Sequence, residues 1–276
     1  MTNTSLPRVY VFDLDGVLYR GADAVDGAAE TIARLRERTA PYLARLYFLT
    51  NNSSQKRSDY VEKLTRLGMP CTEEEIVTSA SATAMYIAQN FGTVGKVALA
   101  VGGMGIRDEL SRVGVRVVRT DEDEADTADF DYVVVGLARD FNYQTLLRGQ
   151  QAIFRGARFI ATNRDGQFPV EGGKTTPGAG AVVAALEACT DVVPLVIGKP
   201  ETHGLQTILT DAGVSASEAV MIGDRLDTDV LCGNRLGVPT VLVLTGLTTN
   251  EQAREQITRF PERTPGTILS TLRGLS

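Results

Sequence analysis

Asp13 and Asp15, one residue apart in Val11-Phe12-Asp13-Leu14-Asp15-Gly16, are the first side chains along the chain whose types and spacing could do chemistry. A carboxylate at a strand end can attack an electrophile and form a covalent intermediate. A second acid two residues on, past the strand end, can protonate the leaving oxygen and then activate water. Gly16 lets the chain turn sharply, so that backbone amides can approach an anion. Further along, Thr50-Asn51-Asn52 offers a hydroxyl and amides for oxyanion oxygens, and Lys199 offers a cation. Gly223-Asp224-Arg225-Leu226-Asp227-Thr228-Asp229 adds three acids. Together these suit phosphate monoesters, whose hydrolysis needs rate enhancements of up to ~10²¹ and positive charge to offset repulsion between the dianion and a carboxylate. Asp13, Asp224 and the main-chain carbonyl of Asp15 are hard oxygen ligands suited to Mg²⁺. Asp229 is expected to position a metal-bound water or the lysine, and Asp227 is the weakest metal candidate of the three.

These residues must be brought together by the fold, and the pattern of apolar runs says how. Short β-branched or apolar runs alternate with helical patterns almost throughout, the signature of βαβ units and a parallel sheet. Residues 9–12, 46–49, 195–197, 220–222 and 240–244 read as strands covered on both faces, because they lack polar alternation. Amphipathic helices are expected at 28–38, 57–67, 203–211 and 228–236. The first four strands end at Asp13, Thr50, Gly198-Lys199 and Gly223-Asp224. Ligands of open α/β sheets bind beyond the carboxyl ends of the strands, so these ends predict one site. The middle of the chain repeats the alternation, with strands at 96–101, 132–135 and 158–161 and helices near 106–113, 143–154 and 178–189. The expected architecture is therefore α/β: a Rossmann-like parallel-sheet core, residues 1–92 and 193–276, with an inserted α/β cap at residues 93–192.

Composition narrows the partners. At 276 residues the chain can bury a large core without disulfides or structural metal. A net charge of −6 gives no reason to expect nucleic acid or an acidic membrane, and any anion site must be built locally. Cys71, Cys189 and Cys232 show no metal-ligand spacing and fit reduced thiols. Residues 1–7 carry no basic-then-apolar signal pattern, and no apolar run is long enough to span a bilayer, so a cytoplasmic location is expected.

The order Asp-x-Asp-Gly, Thr-Asn-Asn-Ser, Gly-Lys-Pro, Gly-Asp-x-x-x-Thr-Asp resembles the haloacid dehalogenase superfamily. Asp13-Leu14-Asp15-Gly16-Val17-Leu18-Tyr19, Ala161-Thr162-Asn163-x-Asp165 and Pro177-Gly178-Ala179-Gly180 match its capped branch, which includes p-nitrophenyl phosphate, phosphoglycolate and pyridoxal phosphate phosphatases. The resemblance spans nearly the whole chain. It implies Mg²⁺ and an aspartyl-phosphate on Asp13, with Asp15, Thr50 and Lys199 as the other catalytic residues. It also implies hydrolysis of small-molecule phosphate monoesters, with phosphoglycolate or p-nitrophenyl phosphate as best guess and nucleotides or sugar phosphates as alternatives, and a homodimer through the cap. A cap loop selects the leaving group in such enzymes, and the matching stretch here is Thr162 to Pro169. Arg164 could meet a second anionic group such as a carboxylate, and Phe168 could stack on a ring or merely pack. With Thr50, Asn51, Asn52 and Lys199 they complete the expected substrate-binding set. The pyridoxal phosphatases carry a histidine where this chain has Phe168, which counts against vitamin phosphates.

Blander readings take the remaining candidates. His203, in Pro200-Glu201-Thr202-His203, reads as the start of a surface helix, and the chemistry has no vacancy for it. Asp121-Glu122-Asp123-Glu124 reads as solvated charge. Val101-Gly102-Gly103-Met104-Gly105 lacks the third glycine of a dinucleotide loop, and Gly173-Lys174-Thr175 lacks the leading glycine and strand of a phosphate loop. Two rival functions share the residues: a non-catalytic phospho-ligand sensor, which should have lost an acid or the lysine, and a phosphotransferase, which Asp15 would serve equally well.

Overall fold

The computed structural model describes residues 6–38, 44–170 and 174–275; Gly173 and most of the 1–7 stretch lie outside them. Two compact units emerge. The first takes in the chain up to Thr50, Tyr60–Val77 and everything from Lys199 onward, and the second takes in Asn51–Asp59 and Thr78–Gly198.

The first unit is built on a six-stranded sheet in the order Thr267–Leu269, Thr240–Val243, Ala219–Gly223, Val9–Phe12, Arg45–Thr50, Ile76–Thr78. Val9–Phe12 pairs in parallel on both sides, Phe12 lying opposite Ile222 on one neighbour and Phe48 on the other. Alternation along this central strand divides the core in two. Tyr10 and Phe12 point with Leu46 and Phe48 into a cluster that holds Ile32, Leu35, Tyr60 and Leu64. Val9 and Val11 point with Tyr47 and Leu49 into a cluster that holds Leu205, Ile208 and Leu209. Helices therefore cover both faces, which is why the strand reads as an unbroken apolar run. Each fully buried side chain of this size contributes on the order of 2 kcal/mol by leaving water.

The second unit carries a five-stranded parallel sheet, ordered Leu195–Val196, Arg158–Ala161, Tyr132–Val135, Val97–Val101, Arg116–Arg119. Its core packs Leu99, Val101, Val133, Val135 and Phe159 against Ala152, Val183 and Leu186 of the helices Tyr143–Phe154 and Ala179–Thr190. Asn142 caps the first of these, accepting from the Thr145 amide at 3.1 Å. Thr78 caps the helix Ser79–Asn90 in a reciprocal box with Ser81. A hairpin, Gln167–Val170 with Lys174–Pro177, leaves this unit's sheet.

One strand is not where the sequence pattern puts it. Residues 195–197 read as a strand of the first sheet ending at Lys199; Leu195–Val196 instead forms the edge of the second sheet, paired with Arg158–Ala161. An apolar run reports that a strand is covered, not which neighbour it pairs with, so only the pairing decides. The sequence pattern divides the chain at 93 and 192, whereas the compact units change over at 50/51, 59/60, 77/78 and 198/199.

The acidic run 121–124 carries no metal cluster among the described residues. Asp121, Glu122 and Glu124 pair with Arg119, Arg107 and Arg116. All three cysteines are free, and burial raises their thiols, Cys71 to about 11 and Cys232 to about 12. No helix among the described residues is long and apolar enough to cross a membrane.

Candidate active site

Three neighbouring parallel strands of the first sheet run out at one edge on polar residues. Val9–Phe12 leads into Asp13, whose amide still donates to the Ile222 carbonyl at 2.8 Å and so fixes where the side chain leaves the sheet. Arg45–Thr50 ends on the buried Thr50, and Ala219–Gly223 leads into Asp224. Lys199 arrives from outside the sheet, as the chain re-enters the first unit, and its side chain is only 4% exposed. It donates to Asp13 Oδ1 at 2.5 Å, to Asp229 Oδ1 at 2.6 Å and to the Leu49 carbonyl at 3.1 Å. Asp229 sits on the wide helical turn Leu226–Val230, and its second oxygen accepts from the Arg225 amide at 3.1 Å. Asp229 therefore accepts from both the Lys199 ammonium and the Arg225 amide.

Asp224 is gripped by backbone rather than by side chains. Its Oδ2 accepts from the Leu247 amide at 2.8 Å, and Thr245 Oγ1 donates to the Gly16 carbonyl at 2.8 Å. A Cβ on Gly16, whose φ is +83°, would lie 2.7 Å from Asp224 Oδ2, and one on Gly246 would lie 1.9 Å from it. Both positions therefore require glycine, since the carboxylate occupies the space a side chain would need. The 245–247 loop was not among the residues expected at the site. Its signal was the end of one more parallel strand, Thr240–Val243, at the same edge of the sheet.

Asp13, Asp224 and Asp229 offer oxygens that all lie within 4.8 Å of one another, against the single ammonium of Lys199. The electrostatics follow from that imbalance. Burial pushes the Asp13 carboxyl well up, Lys199 pulls it back, and Asp229 and Asp224 push it further. Asp224 is pushed up to about 7, chiefly by burial and then by the Asp229 charge. Burial works against the Lys199 charge, but Asp13 and Asp229 outweigh it and hold the ammonium protonated. A divalent cation fits this set: the donors are hard oxygens, and its charge would supply what Lys199 alone does not. Asp13 and Asp224 would hold it, and the Asp15 side chain is not among the clustered carboxylates.

Asp15 lies just beyond, half-buried, bridged to Tyr19 through the backbone. Burial raises its carboxyl, while Lys63 and Arg20 pull it down. Lys63 Nζ sits 3.4 Å from the centre of the buried Tyr19 ring. A raised carboxyl next to a nucleophile is the environment that suits an acid–base group.

The remaining predicted residues belong to the second unit and are engaged within it. Asn51 Nδ2 donates to Asp165 Oδ2 at 3.1 Å, and Asn163 Nδ2 donates to the Asn51 carbonyl at 2.7 Å. Asn52 Oδ1 accepts from the amide and hydroxyl of Ser54 at 2.9 and 2.7 Å. Arg164 makes a two-pronged ion pair with Glu187, so a substrate carboxylate would have to compete with that partner. Phe168 stands on the hairpin with the Arg139 guanidinium 5.6 Å from its ring centre, a neighbour the sequence did not suggest. His203 opens the helix His203–Ala212 on the first unit, as expected of a helix start.

Comparison with known proteins is in keeping with this geometry. A haloacid dehalogenase-like hydrolase family model matches residues 10–116, and a second, HAD-hydrolase-like, matches residues 196–275. The acid sugar phosphatase of Staphylococcus saprophyticus is 35% identical over 249 residues, 90% of this chain and 91% of that protein. The p-nitrophenyl phosphatase from Archaeoglobus fulgidus superposes with a TM-score of 0.85 at 32% identity, covering 98% of both chains. A glycerol phosphate phosphatase from Mycobacterium tuberculosis, solved in complex with magnesium, superposes with a TM-score of 0.84 at 33% identity over 97% of this chain and 75% of that one.

Proposed function

Since this chain belongs to the haloacid dehalogenase-like hydrolases, we propose that it is a Mg²⁺-dependent phosphatase of small-molecule phosphate monoesters that uses Asp13 as its nucleophile. The observation that carries the reading is the Asp13 carboxylate itself. It is buried at a strand end, 2.5 Å from the Lys199 ammonium and clustered with Asp224 and Asp229.

The residues divide the work as follows. An Asp13 oxygen attacks phosphorus, the bond to the ester oxygen breaks, and that oxygen takes the proton held by Asp15. Water then attacks the phosphorus of the aspartyl-phosphate, giving its proton to the now ionised Asp15, and phosphate leaves with Asp13 regenerated. Lys199 stays protonated throughout and offsets charge on Asp13 and on the transferring group. Asp229 keeps Lys199 in place. Thr50, next to Leu49 whose carbonyl holds the same ammonium, binds phosphate oxygens through its hydroxyl. When bound, Mg²⁺ supplies the positive charge that lets an anionic nucleophile meet a dianion. The second unit serves as the cap, with Arg164 and Phe168 on the segment that selects the leaving group. The Glu187 pairing of Arg164 favours esters without a second acidic group over phosphoglycolate.

The test is release of inorganic phosphate from p-nitrophenyl phosphate, glycerol phosphate, sugar phosphates, nucleoside monophosphates and phosphoglycolate, with Mg²⁺ and then with EDTA. Turnover with Mg²⁺ that chelation abolishes is expected; phosphate release undiminished by EDTA would rule the reading out. The same protein should show the linkage in its melting curves. In the metal-free fold a carboxyl raised from 3.8 to about 7, as Asp224 is, holds a proton that the unfolded chain has released. Its contribution to stability is thus greatest at low pH and falls as pH rises from about 4 to about 7. Mg²⁺ must displace that proton, so its gain in Tm over EDTA should grow from about pH 5 to about pH 7 and then level off.

A further inference from the structure

The second unit contains a cavity of about 360 Å³ at the amino ends of the strands Val97–Val101, Tyr132–Val135 and Arg158–Ala161, within the size range of small-molecule sites. Its lining includes Phe91, Lys96, Asp131, Tyr132, Arg155 and Arg158. The one carboxylate among these is already satisfied. Asp131 Oδ1 pairs with Lys96 Nζ at 2.8 Å, and Oδ2 accepts from the Val97 amide at 2.9 Å. Asp131 thus neutralises Lys96, and Arg155 and Arg158 are left over. Among the described residues neither guanidinium has a carboxylate partner, although the chain as a whole carries −6. Nearly every other arginine of this unit is paired with an acid, Arg57, Arg107, Arg112, Arg116, Arg119, Arg148 and Arg164 among them.

Arg158 is also held in place before any ligand arrives. Its guanidinium carbon lies 4.4 Å from the Phe91 ring centre. That ring stacks on Tyr132 at 6.4 Å and meets the edge of Tyr86 at 5.7 Å. The Tyr132 hydroxyl is tied to the Gly92 carbonyl at 2.9 Å, so the platform is rigid. Arg155 stands three residues earlier, at the end of the helix Tyr143–Phe154, where the chain turns through Gly156 at φ +100°. An ordered guanidinium loses less entropy on capturing a ligand, and its planar fork matches an oxyanion. Two uncompensated positive charges match a dianion, and the volume leaves room for more than the anion alone.

We propose that this cavity is a second anion site, in which Arg155 and Arg158 hold the phosphoryl dianion of inorganic phosphate or of a small phosphate ester. The site is built entirely within the second unit and does not depend on the Asp13 chemistry. Isothermal calorimetry on the metal-free protein with inorganic phosphate, and separately with phenylphosphonate as an ester mimic that cannot turn over, tests it. The wild type should take up one equivalent more than R155E/R158E, and R158Q should weaken that equivalent about tenfold or more. Turnover of p-nitrophenyl phosphate at low phosphate should be unchanged in both variants. An equivalent of either probe that the wild type binds and the variants lose or weaken supports the site, and the probe bound more tightly there identifies the source. Superimposable isotherms for wild type and R158Q, with both probes, would overturn the proposal. R158Q removes the charge with a polar side chain at an exposed position, so it carries the test even if the charge-reversed variant fails to fold.

Discussion

Asp13→Asn should lower kcat for p-nitrophenyl phosphate by at least about 10⁴ while leaving the protein folded, because an amide cannot take the place of a carboxylate nucleophile. Asparagine keeps the shape of the side chain and an oxygen that can accept from Lys199. It removes one of three clustered negative charges, so the metal-free variant should melt no lower than the wild type and could melt higher. Loss of turnover without loss of Tm separates a chemical role for Asp13 from a structural one. Quenching the wild type during turnover should trap phosphate on Asp13, and the variant should trap none. A variant retaining a tenth of wild-type kcat would remove Asp13 from the reaction and leave the site a binding pocket.

Lys199→Met should show the opposite combination, with both activity and stability falling. The ammonium is buried between Asp13 and Asp229, and both carboxylates lose their charged partner when it is removed. Breaking a buried pair in this way costs about 3–5 kcal/mol, or roughly 10 °C in Tm for a chain of this size. The same change removes a cation aimed at developing charge, which costs about 10²–10³ in kcat. The stability deficit should be larger near pH 8 than near pH 5, since the stranded acids can shed their charge by taking protons at low pH. Unchanged melting at pH 8, or kcat within a few-fold of wild type, would show that Lys199 neither balances the acids nor serves the reaction.

The gathering of polar residues at one edge of the first sheet was legible because side-chain type and strand end coincide there. Asp13, Thr50 and Asp224 each follow an apolar run, and a parallel sheet must bring such ends to one edge. Lys199 was found by the wrong route. The run 195–197 looked like a strand of that sheet, yet it pairs with Arg158–Ala161, and the lysine reaches the site from the first turn after the chain crosses back. Short edge strands escaped notice for a related reason. Arg116–Arg119 and Thr267–Leu269 carry too few buried residues to stand out from loop. The 245–247 loop had only its place at a strand end to mark it, because its grip on Asp224 runs through an amide and a glycine, and neither advertises chemistry by residue type. The partner of Arg164 was hidden by distance along the chain, since Glu187 lies on a helix whose facing side only the packed structure reveals.

The crossings between the two units also set a timetable on the ribosome. Every residue of the second unit precedes Lys199, so that unit can close while the remainder of the first is still being translated. At that moment Val9–Phe12 has its neighbour Arg45–Thr50, but the strand for its other side, Ala219–Gly223, does not yet exist. The nascent sheet then presents an open edge, and Asp13 is a carboxylate with neither Lys199 nor a metal-binding partner beside it. Chains stalled just after Gly198 emerges should therefore resist protease across the second unit and be cut within the first. Early protection of the first unit would mean that its half-sheet is stable without the strands still to come.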